Sequence, residues 1–212
     1  MFAAVLSKNA QDALALLGKS KILPDKTYLA GGSALALHFG HRISEDFDFF
    51  TRSHFKGKVI AQKLKTIGRF KIQESKEKDN LLGLFNKTKF SLFFYDYPLI
   101  FKPILFQNIW LASPRDIMAM KLAAIMDRGT KKDFVDLYFL SKKGITIDEG
   151  FKYYQRKYKA LSNNLYSLIK GISYFDDADN SEMPEMIKKV DWEEVKKFFR
   201  QEVVRLAKKY IG

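Results

Sequence analysis

Residues 28–50 read YLAGGSALALHFGHRISEDFDFF, and this stretch restricts the possible folds more than any other. Successive side chains on a strand point to opposite faces, so Phe47 and Phe49 share one face and Asp46 and Asp48 the other. The phenylalanines need a buried side. The carboxylates repel one another on theirs, and a metal ion is the candidate that would neutralise them. Upstream, Thr27–Ala30 reads as a short strand running into Gly31-Gly32. Ser33 has the chemistry of an N-cap, Ala34–Phe39 is apolar all round and reads as a buried helix, and Gly40 is its natural stop. A strand, a glycine turn, a buried helix and a half-buried strand in succession require a sheet with a helix packed on it.

The flanking sequence is mixed in character. Residues 9–18 read as a helix, Asp46–Thr51 as the carboxylate strand and Gly57–Ile67 as an amphipathic helix. Strand-like runs follow at Phe70–Ser75, Leu81–Phe85 and Lys89–Tyr95, with Lys-Asp-Asn and Asn-Lys-Thr between them as turns, which predicts an antiparallel meander. A last strand is expected within Ile104–Trp110. Ser113-Pro-Arg-Asp then opens a helix with a serine cap, a proline at the first position and an acid at the third. Helices are expected at roughly 114–127, 131–142, 148–160 and 162–172, with a final one opened by Asp191-Trp-Glu-Glu. The predicted fold class is α+β, a sheet domain over residues 1–112 followed by a helical region over 113–212.

Composition removes several chemistries. There is no cysteine among the 212 residues, so disulfides, thiolate metal sites and cysteine nucleophiles are excluded. The three histidines, at 38, 41 and 54, have no zinc-ligand spacing. Lys8 and Asp12 interrupt the N-terminal apolar residues too early for a signal core or a membrane span, so the expectation is a cytoplasmic protein with no membrane partner. A net charge of +13 favours a polyanionic partner such as nucleic acid or nucleotide, although ordinary surface lysine also produces such an excess.

Carboxylates two apart on a strand can hold magnesium ions that stabilise the attacking and leaving oxygens of a nucleotidyl transfer. A Gly-Gly turn lets a phosphate approach the backbone, and Ser33 with the first helical amides offers it hydrogen bonds and a positive dipole end. Each element alone is ordinary, since acidic pairs also line metal-free edge strands. Their combination is narrower. G-G-S followed by D-F-D-F resembles the signature of the DNA polymerase β-like nucleotidyltransferase superfamily. The longer match, GGSALALHFGHRISEDFDFF, resembles the AbiE-type (AbiEii-like) nucleotidyltransferase toxins of type IV toxin–antitoxin systems. A second block, MKLAAIMDRGTKKDFVDLYFL at 120–140, strengthens the likeness, which runs from about 28 to 142 with a weaker echo in YFDDAD at 174–179.

That resemblance implies a magnesium-dependent enzyme using an NTP, with Asp46 and Asp48 as metal ligands and catalytic carboxylates. It places Arg42 and Ser44 beside them, and with Gly31, Gly32, Ser33, Lys121 and Arg128 these form the expected nucleotide-binding set. It also carries Lys121 and Asp133 into the active site, so that the helical region would complete it. Read without the resemblance, Lys121 interrupts the apolar set Met118, Leu122 and Ile125, where it either meets an anion such as a triphosphate or snorkels to water. Asp133 near a helix start suits the helix dipole, and Asp136 could hold Arg128 or Lys132. The third carboxylate of the superfamily is missing: Ser91 stands where it is expected, leaving Asp96, Asp133 or Asp136 as substitutes.

The resemblance implies tRNA, particularly its 3′ end, or a protein hydroxyl as acceptor, and a cognate antitoxin as partner. Candidate phosphate contacts are RSHFKGK at 52–58, Lys131, Lys132 and the tail, and a basic rim is expected from Arg42, Arg52, Lys131 and Lys132. Tyr153, Tyr154 and Tyr158 alternate with cations in FKYYQRKYK and could stack on bases or face a core. The competing reading is a nucleotidyltransferase fold that has lost catalysis and serves as a binding module.

Overall fold

The computed structural model describes residues 1–75, 78–159 and 165–212. It divides into two compact units, Met1–Ser113 and Pro114–Gly212.

In the first unit, α1 (Lys8–Ser20) precedes β1 (Tyr28–Ala30), α2 (Gly31–Phe39), β2 (Phe47–Thr51) and α3 (Gly57–Ile67). Then come β3 (Phe70–Ser75), β4 (Asn80–Phe85), β5 (Thr88–Phe94), β6 (Ile104–Phe106) and β7 (Ile109–Leu111). They form one seven-stranded mixed sheet in the order β3-β4-β5-β2-β1-β7-β6. The meander is present: β3 pairs antiparallel with β4, and β4 with β5. Asn86 and Lys87, at φ of 48° and 70°, form the two-residue turn between β4 and β5, the backbone that matches strand twist in tight hairpins.

Phe47, Phe49, Phe90 and Leu92 are all but fully buried, and the Phe49 and Phe90 rings lie 5.5 Å apart. Burying such side chains stabilises by roughly 1.5–3 kcal/mol each. This apolar layer fixes which way β2 faces, and so which way Asp48 faces.

Two local expectations are corrected here. The segment expected to hold one last strand, Ile104–Trp110, is a hairpin instead, turning at Gln107 and Asn108 with φ of 48° and 61°. No glycine marks that turn, so it was not legible as one. Helix α2 starts at Gly31 rather than after Ser33, with Ala30 as its cap residue. Gly31 takes φ of +65°, a left-handed value that glycine reaches without strain.

The extreme N-terminus, unassigned from sequence, packs on α2. A short 3₁₀ turn, Ala3–Val5, follows Phe2, whose amide donates to the Leu37 carbonyl at 2.8 Å. A Cβ at Gly40 would lie 2.7 Å from the Phe2 ring, so the glycine that ends α2 also admits this aromatic.

The second unit contains α4 (Pro114–Asp127), α5 (Lys131–Lys142), α6 (Ile147–Lys157), α7 (Leu165–Gly171), the single turn α8 (Asp176–Asp179) and α9 (Trp192–Tyr210). The Asp191 side chain caps α9 by accepting from the Glu194 amide. Thr146 and Glu149 close a reciprocal capping box on α6. Phe134 is the centre of the core, with the rings of Phe175, Trp192 and Phe199 at 5.2, 5.8 and 5.1 Å. The helix expected over 148–160 ends at Lys157; residue 160 and the first residues of the helix expected over 162–172 lie outside the described residues. Tyr154 and Tyr158 are 7% and 2% exposed with rings 4.8 Å apart. They belong to the core and are not a base-stacking surface.

Candidate active site

In the first unit the site is built around the junction of β1, α2 and β2. Strand β1 pairs antiparallel with β2, placing Ala30 opposite Asp48, and β2 pairs parallel with β5, placing Asp48 opposite Ser91. Phe47 stands opposite Phe90, so one position earlier Asp46 and Lys89 are neighbours. Their charges lie 3.8 Å apart, with the Lys89 side chain 70% and the Asp46 side chain 48% exposed. Asp46, Asp48, Lys89 and Ser91 therefore occupy one patch on the face opposite the phenylalanine layer. Lys89 was missed in the sequence. Only strand register shows that a lysine more than forty positions on returns to Asp46.

The two glycines are explained by what they leave room for. A Cβ at Gly31 would lie 2.9 Å from Asp48 Oδ2, and one at Gly32 would lie 2.1 Å from Arg42 Nη2 and 3.1 Å from Ser44 Oγ. The carboxylate and the guanidinium therefore both press on the first turn of α2. Arg42 is buried, with Nη1 donating to the Ile43 carbonyl at 3.0 Å.

Ser33 has a different role from the expected cap. Fully buried in the first turn, its Oγ lies 2.5 Å from the Asp46 carbonyl oxygen and 3.0 Å from Ser44 Oγ. Its one proton goes to the carbonyl, so Ser44 donates to Ser33. This tie holds the start of β2 onto α2 and sets the height of the carboxylates over the helix N-terminus. The Ser44 amide is in turn held by the Val5 carbonyl at 3.2 Å.

In the second unit, the turn between α4 and α5 organises a buried charge cluster. Lys121 Nζ lies 2.8 Å from Asp133 Oδ1 and 2.6 Å from Asp136 Oδ2. Arg128 Nε approaches Asp133 Oδ2 at 3.2 Å, and the Thr130 hydroxyl donates to the same oxygen at 2.7 Å. Burial by itself pushes the Asp133 carboxyl up, but the Lys121 and Arg128 charges and the hydrogen bonds from Lys121 and Thr130 outweigh it and hold it at about 2. Lys121 is 4% exposed, so it does not snorkel; it meets anions, and they are two aspartates of this chain. Asp136 is held by Lys121, while Arg128 is taken by Asp133. The Arg128 side chain remains 55% exposed on this anchor.

Asp133 and Asp136 are fully buried and neutralised within their own cluster, and so are poor substitutes for the missing third carboxylate. Asp96 lies beyond the far end of β5, where its exposed carboxylate pairs with Arg52 Nη2 at 3.3 Å. Ser91 lies five residues before it, roughly 16 Å of extended chain at 3.3 Å per residue. Among the described residues no three histidines, cysteines or acids come together as a metal cluster. The donor set on the sheet is Asp46 and Asp48 beside a serine hydroxyl, all hard oxygens. It fits magnesium, which takes one or two carboxylates and completes its shell with water and substrate phosphate.

The expected basic rim is altered in the same way. Arg42 is buried on Gly32, Arg52 pairs with Asp96, and Lys131 Nζ donates to the carbonyls of Asp179 and Ser181 at 3.2 and 2.8 Å. Lys131 fastens the segment after α8 to the start of α5. Among the described residues no helix is long and apolar enough to cross a membrane.

Residues 15–207 match the family model described as nucleotidyl transferase AbiEii toxin, type IV TA system. An uncharacterised protein of Aquifex aeolicus, aq_aa25, is 39% identical over 204 residues, covering 93% of this chain and 96% of that protein. Among solved structures, MenT4, the nucleotidyltransferase toxin Rv2826c of Mycobacterium tuberculosis, superposes with a TM-score of 0.59 at 14% identity, covering 94% of this chain and 85% of that one. JHP933 of Helicobacter pylori superposes with a TM-score of 0.55 at 19% identity, covering 96% and 94%. At such identities the structural likeness speaks for the fold.

Proposed function

The chain belongs to the AbiEii family of nucleotidyl transferase toxins, and on that premise we propose that it transfers a nucleotide from a magnesium-bound NTP to the 3′ end of an RNA acceptor, tRNA in particular. The observation that carries this reading is the Asp46–Asp48 face standing directly over the glycine-opened N-terminus of α2. Asp46 and Asp48 would hold the metal. Magnesium, when bound there with NTP, stabilises charge on the attacking and leaving oxygens. The first amides of α2 bind a phosphate group, helped by the positive end of the helix and by the Arg42 guanidinium beside Gly32. Lys89 balances the Asp46 charge, and a cation held there would take its place.

The α4–α5 block enters as a positioning device. Lys121 and Asp133 fix one another, and Asp133 fixes the half-exposed Arg128 guanidinium in an orientation that can meet an anion. Lys121 acts here through its carboxylate partners. A cognate antitoxin as partner follows from the family's type IV toxin–antitoxin description.

One observation favours a second reading, a catalytically weakened binding module. Ser91 stands beside Asp48 where a third carboxylate would strengthen the metal site. Titration of Mg-NTP with turnover measured alongside separates the two. Labelled NTPs incubated with the protein and either bulk tRNA or total protein test the main reading. Label on tRNA that disappears in Asp46→Ala and Asp48→Ala supports it. Label on protein alone assigns a protein hydroxyl as acceptor, and Mg-NTP binding without label on either assigns the binding module.

A further inference from the structure

Between Ser53 and Gln73 the chain carries six basic residues, Lys56, Lys58, Lys63, Lys65, Arg69 and Lys71, and no acidic one. All six are exposed, and they lie on α3 and the segments flanking it. Other helices of this protein pair their surface charges locally: Lys8 with Asp12 on α1, and Lys196 with Glu193 and Arg205 with Glu202 on α9. Helix α3 has no acid within reach along its own length, so its lysines are not a solvated face laced by neighbouring pairs.

The shape of this surface is as informative as its charge. Lys63 and Lys65, two residues apart and so about 200° apart around the helix, line different clefts. On one flank a cleft of about 590 Å³ is lined by Lys21, Lys56 and Lys63, with Asp25 as the one acid among its described lining residues and His54 held by the Asp79 carboxylate at 2.8 Å. On the other, a cleft of about 450 Å³ is lined by Lys65, Arg69, Lys71 and Lys87, with no acid among the described residues. Helix α3 is thus a ridge roughly 16 Å long between two basic clefts, at 1.5 Å rise over its eleven residues. Helix α3 starts at the C-terminal end of β2 and returns to the end of the sheet that holds Asp46. Lys71 pairs with Leu84, Leu84 with Lys89, and Lys89 lies beside Asp46, so the second cleft flanks the carboxylate patch three strands away.

We propose that α3 and its two flanking clefts form a second, phosphate-binding surface that grips the backbone of the acceptor RNA beside the carboxylate patch. Lysines set along a ridge, with no carboxylate partner among the described residues, suit a chain of regularly spaced phosphates, which they bind through charge without reading sequence. A protein partner would favour aromatic anchors and little lysine, whereas the large apolar side chains exposed here are Val59 and Ile72, at 43% and 39%. This inference rests on the RNA-acceptor reading above and extends it to residues outside the carboxylate patch.

The test compares two triple variants of equal charge change in the full-length protein. One is Lys63→Glu, Lys65→Glu and Lys71→Glu on the ridge; the other is Lys143→Glu, Lys170→Glu and Lys197→Glu on the helical unit. Binding of fluorescently labelled bulk tRNA is measured by anisotropy at several salt concentrations, with Mg-ATP binding by calorimetry as control. The ridge variant is expected to lose about two units of log–log salt slope, at 0.7–0.9 per contact, with Mg-ATP affinity unchanged. The other variant should keep most of its slope. Equal losses in the two variants overturn the ridge and leave only net charge. A ridge variant with wild-type tRNA binding that no longer co-purifies with its antitoxin overturns it in favour of a protein interface. Salt-insensitive tRNA binding by the wild type overturns the RNA-acceptor reading itself.

Discussion

Asp48 and Ser91 stand directly opposite each other on the parallel strands β2 and β5. Their faces are shared, so whatever replaces Ser91 is presented beside the Asp48 carboxylate. A serine there lowers the negative charge of the patch and leaves Asp46 and Asp48 as its two carboxylates.

Ser91→Asp should therefore act as a metal-site gain. Without divalent cation a third carboxylate repels Asp48, lowering stability by about 1 kcal/mol, the scale of a like-charge cross-strand pair. With magnesium or manganese the melting temperature should rise more than in the wild type. Thermal melts with chelator and with each metal check this. An identical metal response in the two proteins would mean that the side chain at 91 does not reach the site.

Asp46→Ala and Asp48→Ala are expected to abolish nucleotide transfer while the protein stays folded. Both carboxylates lie on the solvent side of β2 and neither belongs to the phenylalanine layer. Removing mutual repulsion should leave the melting temperature equal or slightly higher, as at active sites generally. A double alanine variant that still labels RNA at the wild-type rate would sink the assignment.

Gly32→Ala should be costly in a way that Arg42 explains. The new methyl would sit 2.1 Å from Arg42 Nη2, and that guanidinium is buried with little room to retreat. An overpacking cost of about 1–3 kcal/mol is expected by urea unfolding. Truncating the arginine together with the glycine change (Gly32→Ala with Arg42→Ala) should cost less than the two single effects summed. Strict additivity would show that the clash is not the cause.

Lys121→Met should destabilise the helical unit by about 3–5 kcal/mol, because it leaves two buried aspartates without their shared cation. A lysine that merely snorkelled would give the opposite result, a variant equally or more stable. Chemical denaturation distinguishes the two.

Acid should weaken the same cluster over a defined window. The Asp133 carboxyl is held at about 2 in the folded protein, below its ordinary 3.8. A depressed carboxyl contributes stability that is full above the ordinary value and lost as pH falls through the folded one. The contribution is about 2 kcal/mol, lost between roughly pH 4 and pH 2. Comparing wild type with Asp133→Asn across that window isolates it: the variant begins less stable and its pH slope should be shallower by that amount.

Local chemistry determined much of this protein from sequence alone. The alternation in DFDFF sets the buried and wet faces of β2, proline and acid start α4 at residue 114, and the glycine-rich turn before an apolar run marks the β1–α2 junction. These are short-range effects of backbone geometry and burial, and they are legible because they need no distant partner. Pairings across long stretches of chain were decided only by the tertiary structure. Register in the sheet brings Lys89 to Asp46 and Ser91 to Asp48, and the turn between α4 and α5 closes Lys121 on both Asp133 and Asp136. Even Ser33, whose spacing suits a cap, turns its hydroxyl to Asp46 because β2 supplies a carbonyl there. A charged or polar side chain takes whichever partner the packed core brings within hydrogen-bond distance. That choice is made by the fold, since sequence neighbours offer only some of the candidates.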